Sequence, residues 1–137
     1  MSRWDDHQYL KFADERTRPA EELLRRVPLA AAERVIDLGC GPGNSSALLR
    51  ARWPKAHLTG VDNSPEMLRA ANKALPDVEW VEADAGSYRP PAPADVLFAN
   101  AVFHWLPNHE QLFPALLTNL RPGGALAVQM PHNFQQP

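Results

Sequence analysis

The stretch Val35-Ile36-Asp37-Leu38-Gly39-Cys40-Gly41-Pro42-Gly43-Asn44 decides the fold of this chain. Apolar residues suited to a buried strand run into three glycines at alternate positions, and a helical pattern begins at Asn44. Glycine has no Cβ, so the backbone can approach a ligand closely. The N–H groups at the start of a helix have no intrahelical partner. The stretch therefore predicts a loop that binds a small molecule between a strand and a helix.

The composition indicates one globular domain without a basic surface. The chain has 137 residues, a hydrophobic fraction of 45% and a formal net charge of −2, so we expect neither a nucleic-acid partner nor an anionic membrane surface. No apolar run reaches the roughly 20 residues that a membrane span needs. The single cysteine, Cys40, rules out an intrachain disulfide and is typical of a reducing compartment. These features predict a cytoplasmic protein.

Strand and helix patterns alternate along the chain. Residues 1–17 are interpreted as an N-terminal arm and residues 18–137 as an α/β core, with Ser64-Pro65-Glu66 as a strong helix start. Strands are predicted at residues 34–38, 57–61, 78–82, 95–99 and 125–130, helices at 18–27, 44–53, 64–75 and 108–120, and a turn at 121–124. This order favours a mostly parallel sheet covered by helices on both faces.

Ligands of such sheets bind beyond the carboxyl ends of the strands, near the point where the strand order reverses. The candidate site residues are therefore those that follow the strands: Asp37–Gly43, Asp62-Asn63, Asp84-Ala85 and Asn100–Trp105.

The spacing in the glycine loop, residues 39–43, argues against a dinucleotide. It reads G-x-G-x-G rather than G-x-G-x-x-G, and Asp37 would repel a pyrophosphate but attract a cationic amino group. Asp62 follows the first glycine by about the 20 residues expected of an acid that binds ribose hydroxyls. Asp84 can accept a hydrogen bond from an adenine amino group, and the small Ala85 leaves room for the ring. An adenosine with a zwitterionic tail fits these residues.

Each of these residues also has a purely structural interpretation. The glycines can form an ordinary tight turn, Asp62 can cap a helix, and Asp84 can be a solvated loop acid. Cys40 has no nearby His or Asp partner, so a small buried residue is favoured over a nucleophile.

Four motifs in register resemble the class I S-adenosylmethionine-dependent methyltransferases. They are Val35–Gly43, Gly60-Val61-Asp62, Ala83-Asp84-Ala85 and Leu120–Gly124. The resemblance implies a three-layer Rossmann-like fold and S-adenosyl-L-methionine as cofactor. The cofactor-binding residues that it implies are Asp37, Gly39, Cys40, Gly41, Asp62, Asn63, Asp84, Ala85 and Asn100.

A finer resemblance, to the trans-aconitate methyltransferase family, rests on the arm and on residues late in the chain. It is carried by Trp4, Tyr9, Phe12, Glu15-Arg16, Arg18-Pro19, Phe98–Ala101, His104–Pro107 and Val128–Pro131. It implies methyl esterification of a small polycarboxylate. The implied substrate-binding residues are Tyr9, Arg16, Arg18, His104 and Trp105, although the arginines can equally be solvated charges and Trp105 and His104 structural residues.

We predict no catalytic side chain and no metal site. A substrate carboxylate with a pKa near 4 is already a nucleophile at neutral pH, so no general base is required. His104 and His109 lack metal-ligand spacing.

The chain departs from the family pattern after the fifth strand, where the family sheet continues with two more strands. We expect either a fragment or a reduced domain. Two alternatives stay open: a non-catalytic S-adenosylmethionine-binding module, and a class I methyltransferase that acts on another small-molecule acceptor. The sequence does not predict the oligomeric state.

Overall fold

A computed structural model describes residues 18–100 and 114–129 of the chain. Five strands and three helices have their full bounds within these ranges, and residues 114–117 are also helical. The strands are β1 Arg34–Leu38, β2 His57–Asp62, β3 Glu79–Glu82, β4 Ala94–Asn100 and β5 Leu120–Gln129. The helices are α1 Arg18–Arg25, α2 Asn44–Arg52 and α3 Pro65–Ala74. The predicted arm lies outside the described residues.

The strands form one parallel sheet in the order β3-β2-β1-β4-β5. The chain moves outward from β1 to β3, returns, and continues on the other side with β4 and β5. The strand order therefore reverses between β1 and β4, which is where ligands of open α/β sheets bind. The predicted α/β class with a parallel sheet is confirmed.

The sheet carries a hydrophobic core on each face. The first core packs α1 and α2 against the sheet and centres on Leu49, Trp53 and Phe98. The second contains Ile36 and the helical residue Leu116. Within the described ranges no helix is long and apolar enough to cross a membrane, and the cytoplasmic location stays a prediction.

Arg52, the last residue of α2, holds the end of α1 in place. Its guanidinium donates hydrogen bonds to the carbonyl oxygens of Leu24, Val27 and Leu29 and lies 4.7 Å from the centre of the Trp53 ring. A cation is favourable at the carbonyl end of a helix. The predicted helix extends to Val27, but α1 ends at Arg25.

The start of α3 matches the expectation from its sequence. The Ser64 hydroxyl accepts a hydrogen bond from the Met67 N–H at 3.3 Å, and Pro65 occupies the first turn. This N-cap fixes the connection that follows β2, where Asp62 ends the strand.

The last described strand differs from its prediction. The stretch predicted as a turn, residues 121–124, lies inside β5 as an irregularity: Leu120 pairs with Ala94, and the next pair is Ala125 with Val96. Gly123 has a φ of 85°, which favours glycine.

Of the helix predicted at 108–120, residues 114–117 are helical and a turn follows. Residues 108–113 and Met130 lie outside the described ranges. The helix stops early because Thr118 and Asn119 both donate side-chain hydrogen bonds to the carbonyl oxygen of Ala115.

Asp95 connects three adjacent strands at the amino-terminal edge of the sheet. Its Oδ2 accepts hydrogen bonds from the backbone N–H groups of Glu33 (2.8 Å) and Arg34 (3.0 Å), and its Oδ1 lies 3.3 Å from the Arg121 guanidinium. Partial burial raises the pKa of Asp95, but the two N–H donors and the charges of Arg121 and Arg34 outweigh it, so that the pKa is lowered.

We expect Asp95→Asn to lower the free energy of unfolding by about 1–2 kcal/mol near neutral pH, because charge-assisted hydrogen bonds are lost. The folded-state pKa is lowered, so this stabilisation is present above the unfolded pKa of about 4 and is lost as the pH falls below it. Urea unfolding at several pH values measures it. The matched control is Asp77→Asn, which removes the charge of a carboxylate that is 66% exposed and pairs with Arg50, a surface ion pair of little expected worth; equal losses in both variants would contradict the role of Asp95.

Candidate functional site

The predicted site residues converge at one edge of the sheet. The glycine loop follows β1, Asp62 ends β2, Asp84 and Ala85 follow β3, and Asn100 ends β4. Because all strands are parallel, their carboxyl ends meet at the same edge. This edge is therefore the candidate ligand site. Asn63 follows Asp62 there and is exposed.

The glycine loop uses its glycines for different reasons. Gly39, Gly41 and Gly43 have φ values of 70°, 58° and 103°, in the left-handed region that other residues rarely adopt. A Cβ placed on Gly41 would meet no atom within 4 Å, so the space in front of it is open. A Cβ on Gly43 would lie 3.4 Å from Ala71, which shows that the loop packs against α3. Gly41 thus leaves room at the site, and Gly43 allows close helix packing.

Most N–H groups of the loop itself are already bonded, which differs from the expectation that they face the ligand. Gly39 and Cys40 both donate to the carbonyl oxygen of Val61, at 2.7 and 2.9 Å. Gly41 donates to Asp62 Oδ2 at 2.9 Å. These bonds hold the loop to the end of β2, where the glycine backbone can reach it. The N–H groups at the start of α2 differ from those of the loop, because the residue that precedes this helix, Gly43, has no side chain to cap them.

Asp37 lies beneath the loop and is only 1% exposed. Its Oδ2 accepts hydrogen bonds from the hydroxyls of Ser45 and Ser46 in the first turn of α2, both at 2.7 Å. Its Oδ1 is buried and has no hydrogen-bond partner among the described residues. The sequence predicted a carboxylate open to a cationic group. The structure instead commits one oxygen to the serines and leaves the other available.

The charge on Asp37 is only partly stabilised. Burial raises the pKa of Asp37 to about 6, against the lowering effect of the hydrogen bonds from Ser46 and Ser45, and the negative charge of Asp62 raises it further. A buried carboxylate of this kind favours a cationic partner, which would offset the desolvation of the ionised form.

Asp62 also has structural partners. Besides the bond from Gly41, its Oδ1 accepts a hydrogen bond from the Ser64 N–H at 2.9 Å. A carboxylate offers about four acceptor positions, so acceptor capacity remains for a ligand. Asp62 is half-buried at the open edge. It therefore links the glycine loop to the start of α3 and still faces the candidate site.

Asp84 and Ala85 form the far side of this edge. The Asp84 side chain is exposed and accepts no hydrogen bond within the described ranges, whereas its carbonyl oxygen accepts from Ser87 and Tyr88. Ala85 is buried. Their loop is joined to β2 by the Ala83 N–H, which donates to the Asp62 carbonyl at 3.0 Å.

Cys40 is an inert thiol in this structure. Its side chain is buried, and burial, with the negative charges of Asp37 and Asp62, raises the pKa of the thiol. A protonated thiol is a poor nucleophile. Its backbone N–H is used by Val61, so any ligand contact from Cys40 comes from its remaining atoms.

The predicted acceptor residues are mostly outside the described residues. Tyr9, Arg16, His104 and Trp105 lie outside the described residues. Asn100 is described by its backbone, as the last residue of β4, and not by its side chain. Arg18 begins α1 and is exposed.

The sequence prediction missed the two serines that bind Asp37. Ser45 and Ser46 form part of an Asn-Ser-Ser triplet that suggested no role. The available signal is geometric: an acid on a buried strand, followed one tight loop later by hydroxyls in the first turn of a helix.

Comparison with known proteins gives a consistent result. A family model described as "Methyltransferase domain" matches residues 35–124. The chain is 63% identical over all 137 residues to a trans-aconitate 2-methyltransferase of Azoarcus sp. and 60% identical to one of Methylobacterium nodulans. It spans about half the length of these relatives, 54% and 53%. A solved S-adenosylmethionine-dependent methyltransferase from Mesorhizobium loti matches with a TM-score of 0.72 and 27% identity, over 82% of this chain and 53% of that one.

We expect Asp37→Asn to change how stability depends on pH. The folded-state pKa is raised to about 6, so the wild-type chain loses stability as the pH rises from about 4 to about 6. Asparagine does not titrate, and its Oδ1 can still accept from the serines. The free energy of unfolding of the variant should therefore rise relative to wild type by up to about 3 kcal/mol across this interval.

Urea unfolding of both proteins at closely spaced pH values measures this difference. Parallel stability curves for the two proteins would show that Asp37 does not titrate in this interval.

Proposed function

Because this chain belongs to the methyltransferase domain family, we propose that it binds S-adenosyl-L-methionine and forms part of an enzyme that methylates a carboxylate of a small polycarboxylic acid such as trans-aconitate. The observation that carries this proposal is the 63% identity to a trans-aconitate 2-methyltransferase over the whole chain. The solved relative from Mesorhizobium loti supports the choice of methyl donor.

The polar groups at the sheet edge fit the donor. The unpartnered Oδ1 of Asp37 suits the ammonium group of the methionine moiety. The remaining acceptor capacity of Asp62 suits the two ribose hydroxyls, and the exposed Asp84 carboxylate with the small Ala85 suits the adenine. The open space at Gly41 allows the ligand to approach the backbone.

The proposed reaction requires little from acid–base groups. When bound, S-adenosylmethionine supplies a methyl group on a positively charged sulfur. The acceptor carboxylate is ionised at neutral pH, with an ordinary pKa near 4, and needs no general base. The protein has to align the two reactants and exclude water. Asp37 and Asp62 contribute by holding the methionine tail and the ribose of the donor.

The acceptor half of the site is proposed from the sequence. A polyanionic acid needs cationic and hydrogen-bonding partners, and we propose Tyr9, Arg16, Arg18, His104 and Trp105 for this role. Arg18 alone among them belongs to the described residues, at the start of α1. Since the chain spans about half of its curated relatives, turnover is proposed for the whole protein.

We expect Asp62→Asn to weaken binding of S-adenosylhomocysteine by roughly tenfold to a hundredfold, because charge-assisted hydrogen bonds to the ribose are lost. The near-isosteric amide has one acceptor oxygen, so it keeps the contact to only one of the Gly41 and Ser64 N–H groups, and the unfolding midpoint of the variant shows whether the fold is retained. Isothermal titration calorimetry measures the affinity. The matched control is Glu82→Gln, which neutralises an exposed acid at the end of β3 and should change the affinity less than twofold.

Equal affinities of wild type and a folded Asp62→Asn variant would refute the ribose assignment. NAD binding as tight as S-adenosylhomocysteine binding would refute the choice of donor.

We expect methyl transfer from labelled S-adenosylmethionine to trans-aconitate to give a base-labile product, because an ester hydrolyses in mild alkali while N- and C-methyl products do not. A panel of di- and tricarboxylates defines the acceptor, and Arg16→Ala should raise KM more than it lowers kcat, since a charge contact holds ground and transition states alike. The comparison variant is Arg26→Ala, which removes an exposed arginine beyond α1.

A base-stable product would contradict carboxylate methylation. A collapsed kcat at unchanged KM would contradict the proposed role of Arg16.

A further inference from the structure

Resting on the proposed function, we propose that Ser45 and Ser46 are positioning residues that make the site selective for S-adenosyl ligands with a cationic amino-acid tail. They hold one oxygen of Asp37 and keep the other oriented for the ammonium group. The serines themselves do not touch the ligand in this assignment. They act through the Asp37 carboxylate.

The geometry of the carboxylate supports this role. Both hydroxyls donate to the same oxygen, Oδ2, at 2.7 Å, and Oδ1 is left buried without a partner among the described residues. Two short charge-assisted bonds to one oxygen fix the rotation of the carboxylate group. Buried acceptors without partners are rare in native proteins and cost free energy. An orphan oxygen beside two satisfied contacts therefore indicates a partner that arrives with the ligand.

The serines are placed for this purpose by the fold. Ser45 and Ser46 belong to the first turn of α2, which begins directly after the glycine loop. Asp37 lies one residue before the end of β1, on the face that α2 covers. The left-handed glycines form the turn between this strand and this helix, and Ser46 is fully buried at 0% exposure. The pair is thus part of the rigid strand–loop–helix unit.

The charges around Asp37 leave the carboxylate without a cationic neighbour in the described part of the site. On β2, Asp62 is a second acid, and in the loop the Cys40 thiol is protonated. On β4 the residue paired with Asp37 is the apolar Phe98. The two cations of α2 point elsewhere: Arg50 pairs with Asp77 and binds carbonyl oxygens of residues 53–56, and Arg52 binds those of residues 24–29. A ligand ammonium would therefore supply the missing positive charge.

Two ligands separate positioning from general stability. S-adenosylhomocysteine carries the amino-acid tail, and 5′-methylthioadenosine has the same adenosine and thioether without it. We expect Ser45→Ala and Ser46→Ala each to weaken S-adenosylhomocysteine roughly fivefold to twentyfold, while methylthioadenosine changes less than twofold. Calorimetry with both ligands measures the ratio. Ser45→Thr retains a hydroxyl and should restore most of the affinity, and Thr118→Ala, which removes an exposed hydroxyl bonded to Ala115, should change neither ligand.

The pH profile gives a second readout. For wild type, S-adenosylhomocysteine affinity should rise as Asp37 ionises, and methylthioadenosine affinity should stay level. Loss of either serine removes a bond that favours the ionised form, so the rise should move to higher pH.

The outcomes distinguish a failure of the serine role from a failure of the proposed function. Equal weakening of both ligands, or an unchanged pH profile in a variant with a wild-type unfolding midpoint, overturns the positioning role. If Ser46→Ala fails to fold, the half-buried Ser45→Ala decides the question. A wild-type protein that binds neither ligand overturns the proposed function itself, whatever the serines do.

Discussion

The attachment of the glycine loop to the end of β2 is the interaction on which the site depends. One carbonyl oxygen, that of Val61, accepts the N–H groups of Gly39 and Cys40, and the next residue, Asp62, accepts that of Gly41. These three bonds require the backbone to turn sharply after β1, and left-handed glycines make this turn without steric strain. Once the loop is held there, α2 begins where its first turn covers Asp37. The attachment thus places the Asp37 carboxylate and its two serines next to Asp62.

The same arrangement brings two acids, Asp37 and Asp62, close together. The repulsion between their charges destabilises the fold when no ligand is bound. Asp37 is buried, and Asp62 disfavours its ionised form further. Asp62 offsets part of its own charge with the N–H groups of Gly41 and Ser64, and Asp37 does so with two hydroxyls. Neutral donors stabilise a carboxylate less than a cation does. A cationic ligand therefore gains more at this edge than a phosphate, which is the physical reason to prefer an S-adenosyl compound over a dinucleotide.

The sequence predicted the sheet and its central strands well because their signals are local. Apolar runs, glycine spacing and the Ser64-Pro65 cap each act within a few residues, and the corresponding elements agree with the structure. The prediction was wrong at β5, where residues 121–124 have turn composition but stay within the strand. Leu120 and Ala125 pair with β4 on either side of this stretch, so the chain continues as one strand across it. The partners of Asp37 were missed for a similar reason, since a hydroxyl contact depends on how a helix packs over a strand.

The described donor site and the proposed acceptor site differ in how their residues are distributed along the chain. The donor residues from Asp37 to Ala85 lie at the carboxyl ends of three adjacent strands, β1 to β3, so that their geometry is set when the sheet forms. The proposed acceptor residues come from the arm, from the first residue of α1 and from the segment after β4, and the donor residues lie between these parts of the sequence. Arg52 provides a physical link between the two parts, because it belongs to α2, whose first turn holds Asp37, and it binds the carbonyl oxygens at the end of α1. Arg52 therefore ties the position of α2 to that of α1, the helix whose first residue, Arg18, is one of the proposed acceptor contacts.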